Sequence, residues 1–167
     1  MNERPKVYHD KINPTHLQRK AVVYLRQSTG RQVRENKESQ VLQYALLDRA
    51  RDLGFAEVET VDVDLGTSAG LGAKRRDGFD RLISAVAMGE VGIVFSIEVA
   101  RLSRTDKDWC RLLEVCQVFG TLIGDGEQVY DPGCMDDQLV LGIKGTMSVV
   151  ELKILYMRLV AGMEAKA

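Results

Sequence analysis

One serine and a set of arginines are the side chains of this sequence whose types and spacing could do chemistry. Arg26 and Ser28 stand two positions apart at the end of the run Lys20-Ala-Val-Val-Tyr-Leu-Arg-Gln-Ser28. Arg76 opens the stretch Arg76-Asp77-Gly78-Phe79, and Arg101 and Arg104 flank Leu102-Ser103. A serine hydroxyl is a weak nucleophile without a base or strong electrostatic help, and neither histidine, His9 or His16, lies in a triad-like arrangement. Guanidiniums offer another route. They grip phosphate oxygens at two points and stabilise the extra negative charge of a phosphoryl-transfer transition state without a metal. Such a set could attack a phosphodiester. Singly, each arginine has an ordinary reading: Arg26 paired with an acid at a sheet edge, Arg76 solvated on a helix, Arg101 and Arg104 at a neighbouring helix end. Chemistry requires a fold that brings them together.

Residues 20–28 are β-branched and aromatic enough for a strand, and Gly30 supplies a turn signal. Alternation puts Tyr24, Arg26 and Ser28 on one face and Val23, Leu25 and Gln27 on the other. Over 34–53, Leu42, Ala45, Leu46, Arg49, Ala50 and Leu53 recur at helical spacing, with Gly54 as a stop. Residues 57–63 alternate like a half-buried strand, and the glycine-rich 64–72 predicts a mobile loop. Phe79, Leu82, Ile83, Val86 and Ala87 predict a helix over 79–88, followed by a short apolar strand over 91–97. Thr105 reads as the N-cap of a helix running to about Phe119, where Gly120 stops it. Short strands at 121–123 and 128–130 precede a turn at Asp131-Pro132-Gly133. This alternation predicts an α/β fold, a three-layer sandwich with a largely parallel central sheet. Active sites in such sheets lie beyond the carboxyl ends of the strands. Ser28, the Gly66 loop and Arg101 each follow a strand, so all three are expected at one edge.

The tail differs. From Leu139 to Met163 there is no proline, and Ile143, Met147, Val150, Ile154, Met157 and Ala161 step by four and three, with Leu152, Leu155, Leu159 and Met163 as a second line. Two apolar lines predict a long carboxy-terminal helix that meets a helix of another subunit. The expected organisation is a polar leader over 1–19, which packs on the domain or stays mobile, an α/β domain over 20–138, and a dimerisation helix beginning within 139–167.

At 167 residues with 45% hydrophobic composition, the chain can bury a real core. No apolar run is long enough to cross a bilayer and no signal-peptide core is present, so a cytoplasmic location is expected. Cys110, Cys116 and Cys134 show neither Cys-x-x-Cys spacing nor a nearby histidine, which argues against a disulfide framework or a zinc site. A net charge of −1 is low for a DNA-acting protein. The distribution is uneven, however: Arg26, Arg31 and Arg34 surround the serine and Lys74, Arg75 and Arg76 form a second cluster.

Five ordered blocks together resemble the serine recombinases, the family of resolvases, invertases and large serine integrases or transposases. Tyr24, Arg26, Ser28 and Gln32 match its first block, and Asp64 through Ser68 resembles its mobile-loop block. Arg76-Asp77-Gly78-Phe79 and Arg101-Leu102-Ser103-Arg104 match two more, and Glu151 resembles the glutamate of the long helix. The resemblance implies that Ser28 attacks a DNA phosphate, forms a 5′-phosphoserine link and releases a 3′-hydroxyl. It implies too that Arg26, Arg76, Arg101 and Arg104 hold the scissile phosphate, that Gln32 positions it, and that four subunits cut, exchange and rejoin strands. No cofactor, metal or small-molecule substrate is expected. Ala100 stands where many members carry an aspartate before the Arg-Leu-x-Arg block, so the acid for the leaving group is unassigned. No helix-turn-helix, zinc ribbon or basic tail follows the long helix, so the expectation is a catalytic domain cut from a longer protein, most like the large serine recombinases, that binds double-stranded DNA weakly alone. The alternative is a non-catalytic oligomerisation or regulatory domain of the same fold. A metal-dependent receiver or small-molecule phosphotransferase is disfavoured by the arginine-rich edge.

Overall fold

The computed structural model describes residues 10–27, 33–64, 71–97, 106–146 and 149–165. A five-stranded sheet forms its centre, with β1 (Lys20–Gln27), β2 (Val58–Asp64), β3 (Val91–Phe95), β4 (Leu122–Gly124) and β5 (Val129–Tyr130) in the spatial order 2-1-3-4-5. The first four pair in parallel and β5 returns antiparallel to β4, so the expected largely parallel sheet is the observed one. Ala21 through Leu25 are all buried, as a central strand covered on both faces requires.

Alternation along β1 divides the core into two layers. Val22 and Tyr24 join Val94, Ile123 and Tyr130 against α3 (Leu71–Ala87), α4 (Asp106–Phe119) and α5 (Met135–Thr146), through Phe79, Leu82, Val86, Trp109, Leu112 and Leu141. Ala21, Val23, Leu25, Ile93 and Phe95 face Leu46, Ala50 and Leu53 of α2 (Val33–Asp52). The β1–α2–β2 crossover thus lies on one face and β2–α3–β3 on the other, as right-handed crossovers require when the chain reverses direction across the sheet. Gly54 and Gly120 end their helices at φ of +107° and +65°, the left-handed region that favours glycine.

Two helices start earlier than the sequence reading places them, and the leader takes one of its two expected forms. Residues 10–19 of the leader pack on the domain: Asn13 caps a short α1 (Pro14–Leu17) with Pro14 in its first turn, and Ile12 and Leu17 cover the α2-side core. Arg19 donates to the carbonyls of Val91 and Phe119 at 3.0 Å and of Gly120 at 2.9 Å, tying the leader to β3 and to the end of α4. α3 begins at Leu71, well before Phe79. Gly70 and Gly72 read as loop residues, but the Ala73-Lys74-Arg75-Arg76 that follows is helix-forming and extends the periodic segment upstream. The tail holds two described helices, α5 from Met135 and α6 (Val149–Ala165), with residues 147 and 148 outside the described set. α5 starts four residues before Leu139 because Asp136 and Asp137 suit a first helical turn after the Asp131–Gly133 turn.

Candidate active site at the carboxyl edge of the sheet

β1, β2 and β3 all run toward the same edge. Gln27 pairs with Asp64 across β1 and β2, and Val23 pairs with Phe95 across β1 and β3. β1 ends at the point where strand order reverses, with β2 on one side and β3 on the other. In open α/β sheets this switch point is where ligands bind.

Of the residues singled out from sequence, Ser28, Gln32, Ser68, Arg101, Arg104 and Met147 lie outside the described residues. Arg26, Asp64, Arg76, Val150 and Glu151 are placed by their backbone alone. Position 26 is the penultimate residue of β1 and position 64 the last of β2. Position 76 falls in the second turn of α3, about 7–8 Å along the axis from its start at a rise of about 1.5 Å per residue. Tyr24 and Phe79 belong to one buried cluster. Position 26 is two residues nearer the edge than Tyr24 and position 76 one turn nearer than Phe79, so strand and helix carry both arginines toward the same corner. α4 starts at Asp106, two residues after Arg104 in the sequence, and its first turn joins that cluster through Trp109.

Tyr24 itself is 4% exposed, so any positioning it exerts is exerted from inside the core. Ile143 is half-buried on α5, whereas Ile154 is 44% exposed on α6. Leu155, Tyr156, Met157, Leu159 and Met163 of α6 are exposed as well. Burial pushes the Cys116 thiol up to about 12, which fits an inert core cysteine. Among the described residues no group of three or more His, Cys, Asp or Glu could hold a metal, and no helix is long and apolar enough to cross a membrane.

Sequence reasoning missed a polar cluster beyond β4. The Lys144 ammonium donates to the Tyr130 hydroxyl at 2.6 Å and lies 3.7 Å from the Asp125 carboxylate, which also accepts from the Tyr130 hydroxyl and from the amides of Glu127 and Gln128. The bond to Tyr130, with Asp125 nearby, holds the Lys144 pKa above its usual value despite partial burial. Asp125 orders the β4–β5 hairpin through its own backbone, as a turn aspartate does. Also missed was the seat of Trp109, whose indole N–H donates to the Leu141 carbonyl at 3.1 Å. The signal present was a single tryptophan spaced with Leu112 and Cys116 at helical period.

A sheet of order 2-1-3-4-5 with helices packed on both faces defines a doubly wound α/β domain. The chain belongs to the resolvase family, whose N-terminal domain its residues 21–167 match. It is similar to the uncharacterized protein y4bA/y4pH of Sinorhizobium fredii, at 51% identity over 159 residues, which is 94% of this chain and 23% of that protein. The chain therefore spans about a quarter of that relative's length. Among solved structures, a resolvase family site-specific recombinase from Streptococcus pneumoniae aligns with a TM-score of 0.56 at 20% identity, covering 89% of this chain and 97% of that one. The likeness to that structure is one of fold.

Proposed function

We propose that the chain is the catalytic domain of a serine-type site-specific DNA recombinase. The observation that carries this reading is the convergence of β1, β2, the start of α3 and the start of α4 on the switch-point edge, because each element bears or borders one block of the Ser28–arginine set. The Ser28 hydroxyl attacks a DNA phosphorus, a Ser–O–P bond forms, and the P–O bond to the 3′ oxygen breaks. The strand leaves with a 3′-hydroxyl, and the 5′ end stays on the protein as phosphoserine. Arg26, Arg76, Arg101 and Arg104 neutralise the equatorial oxygens, with Gln32, Ser68 and Asp64 at the periphery of the phosphate. Attack by a 3′-hydroxyl in the reverse sense reseals the strand and frees the serine, so bond energy is conserved and no cofactor is consumed. α6 covers its exposed apolar face against the same helix of a second subunit, with Glu151 and Val150 in its first turn, and paired dimers assemble on DNA.

The test joins the chain, at its carboxyl end, to a DNA-binding module of known site and incubates it with supercoiled DNA bearing paired sites. Protein covalently attached at DNA 5′ ends, and absent with Ser28→Ala, is the expected result. No covalent product under conditions where an active resolvase-family protein gives one would move the assignment to a non-catalytic assembly domain, the reading that Ala100 favours.

A further inference from the structure

We infer that Trp109 and Gly145 form a rigid joint through which the last turn of α5 positions the first turn of α4, and with it the arginine block leading into α4. Trp109 is the fourth residue of α4 and 1% exposed. Its indole N–H donates to the Leu141 carbonyl at 3.1 Å, an oxygen that the helix also offers to the amide of Gly145 four residues on. The nitrogen edge of the ring lies so close to this turn that a Cβ at Gly145 would stand 2.0 Å from the indole nitrogen, 2.2 Å from Cε2 and 2.6 Å from Cδ1. No side chain fits there without moving the indole. A helix interior disfavours glycine, so its presence at this contact is explained by the close approach it allows. One turn earlier the situation is opposite, since a Cβ at Gly142 would meet nothing within 4 Å.

The joint sits between two functional parts. On one side, α5 ends at Thr146 and α6 begins at Val149, so whatever holds α6 bears on the turn containing Gly145. On the other, α4 begins at Asp106, two residues after Arg104. Trp109 and Gly145 are thus positioning residues, acting on the reacting groups through the start of α4. That catalytic consequence rests on the function proposed above, whereas the mechanical joint does not.

Gly145→Ala is compared with Gly142→Ala, the same change on the same helix in open space. Trp109 is the only tryptophan in the chain, so its emission reports the joint directly. Gly145→Ala should red-shift that emission and raise amide exchange over the first turns of α4 about tenfold or more, while β1 and β3 amides keep their wild-type rates and Gly142→Ala changes neither. In the module-joined chain, covalent capture of DNA should fall by about 100-fold with DNA binding unchanged, the scale expected of a misplacement near 1 Å. Equal behaviour of the two alanine variants overturns the joint, as does exchange raised evenly across the whole chain. If wild type gives no covalent product, the catalytic assignment falls, and emission and exchange still decide the joint. Should Gly145→Ala fail to fold, Trp109→Phe, which removes the N–H and keeps a ring, carries the exchange and capture measurements with the same expected direction.

Discussion

Arg19 precedes the family-matched region, yet it ties three elements together, and replacing it by methionine tests whether the leader belongs to the folded unit. Its guanidinium makes four bonds to backbone carbonyls: Thr15 at 3.2 Å, Val91 and Phe119 at 3.0 Å, and Gly120 at 2.9 Å. Charged hydrogen bonds contribute roughly 1.5–3 kcal/mol each, so a naive sum would reach about 6–12 kcal/mol. Two facts reduce it. The bonds to Thr15, Phe119 and Gly120 are exposed, so water replaces the donor. The Val91 carbonyl keeps a second donor, the buried Thr121 hydroxyl at 2.8 Å. What remains is one part-buried bond and the favourable charge at the carboxyl end of α4, about 2 kcal/mol together. For a chain of this size that is about 4–8 °C in Tm, read by calorimetry or circular dichroism. Arg19→Lys should recover less than half, because an ammonium cannot span carbonyls that a planar fork spans. A Tm for Arg19→Met within about 1 °C of wild type would show the leader to be a passive addition, on the same scale of degrees per kcal/mol.

Two further outcomes follow from the described side chains. Burial, and then the charge of Arg19, hold the His16 pKa below 6.5, with the Gly120 carbonyl and Asp131 pulling the other way, and its Nδ1 accepts from the Asn13 amide at 3.1 Å as a neutral ring does. A lowered folded value means this contribution is full above the unfolded value near 6.5, declines as pH falls below it, and is gone once pH passes the folded value. Wild-type Tm should therefore drop more than that of His16→Gln between about pH 7.5 and 5.5, and parallel curves would remove the histidine from the account. On α6, Leu155, Leu159 and Met163 line one exposed face at i, i+4 and i+8. Leu159→Glu should weaken self-association by about ten- to hundredfold in sedimentation, the cost of roughly 1.5–3 kcal/mol for one interface leucine. An unchanged sedimentation profile would mean that face meets something other than its own copy.

Local signals succeeded where the deciding interaction was local. The Gly54 and Gly120 stops, the period of α2 and the apolar run of β1 depend on neighbours within a few residues, and all appear in the structure. α1 escaped because four residues are too few to show a period, although Asn13-Pro14 carries an N-cap and a favoured first-turn residue. The capping box was also disguised, since His16 fills the place usually held by Glu or Gln. The seating of Trp109 on Gly145 was illegible for a different reason. It joins residues 36 apart through the packing of two helices, and an isolated helical glycine reads only as a weak position until the partner ring is known.

Strand order lies between these cases, and it decides where the site falls. β1 buries five consecutive residues, Ala21 to Leu25, which only a strand covered on both faces and paired on both edges tolerates. β2 carries Glu59, Thr60, Asp62 and Asp64 in seven residues, the charge pattern that keeps an edge strand from pairing with another chain. A central first strand and a charged edge second strand force the chain to step outward from β1 to β2 and then cross back over β1 to reach β3. That reversal is the switch point. β1 ends there at Gln27, and the next residue in the sequence is Ser28. The burial of β1 and the charge of β2 thus put the switch point, and with it the ligand-binding crevice of such a sheet, at the carboxyl end of β1, by an argument that needs neither the arginines nor the family.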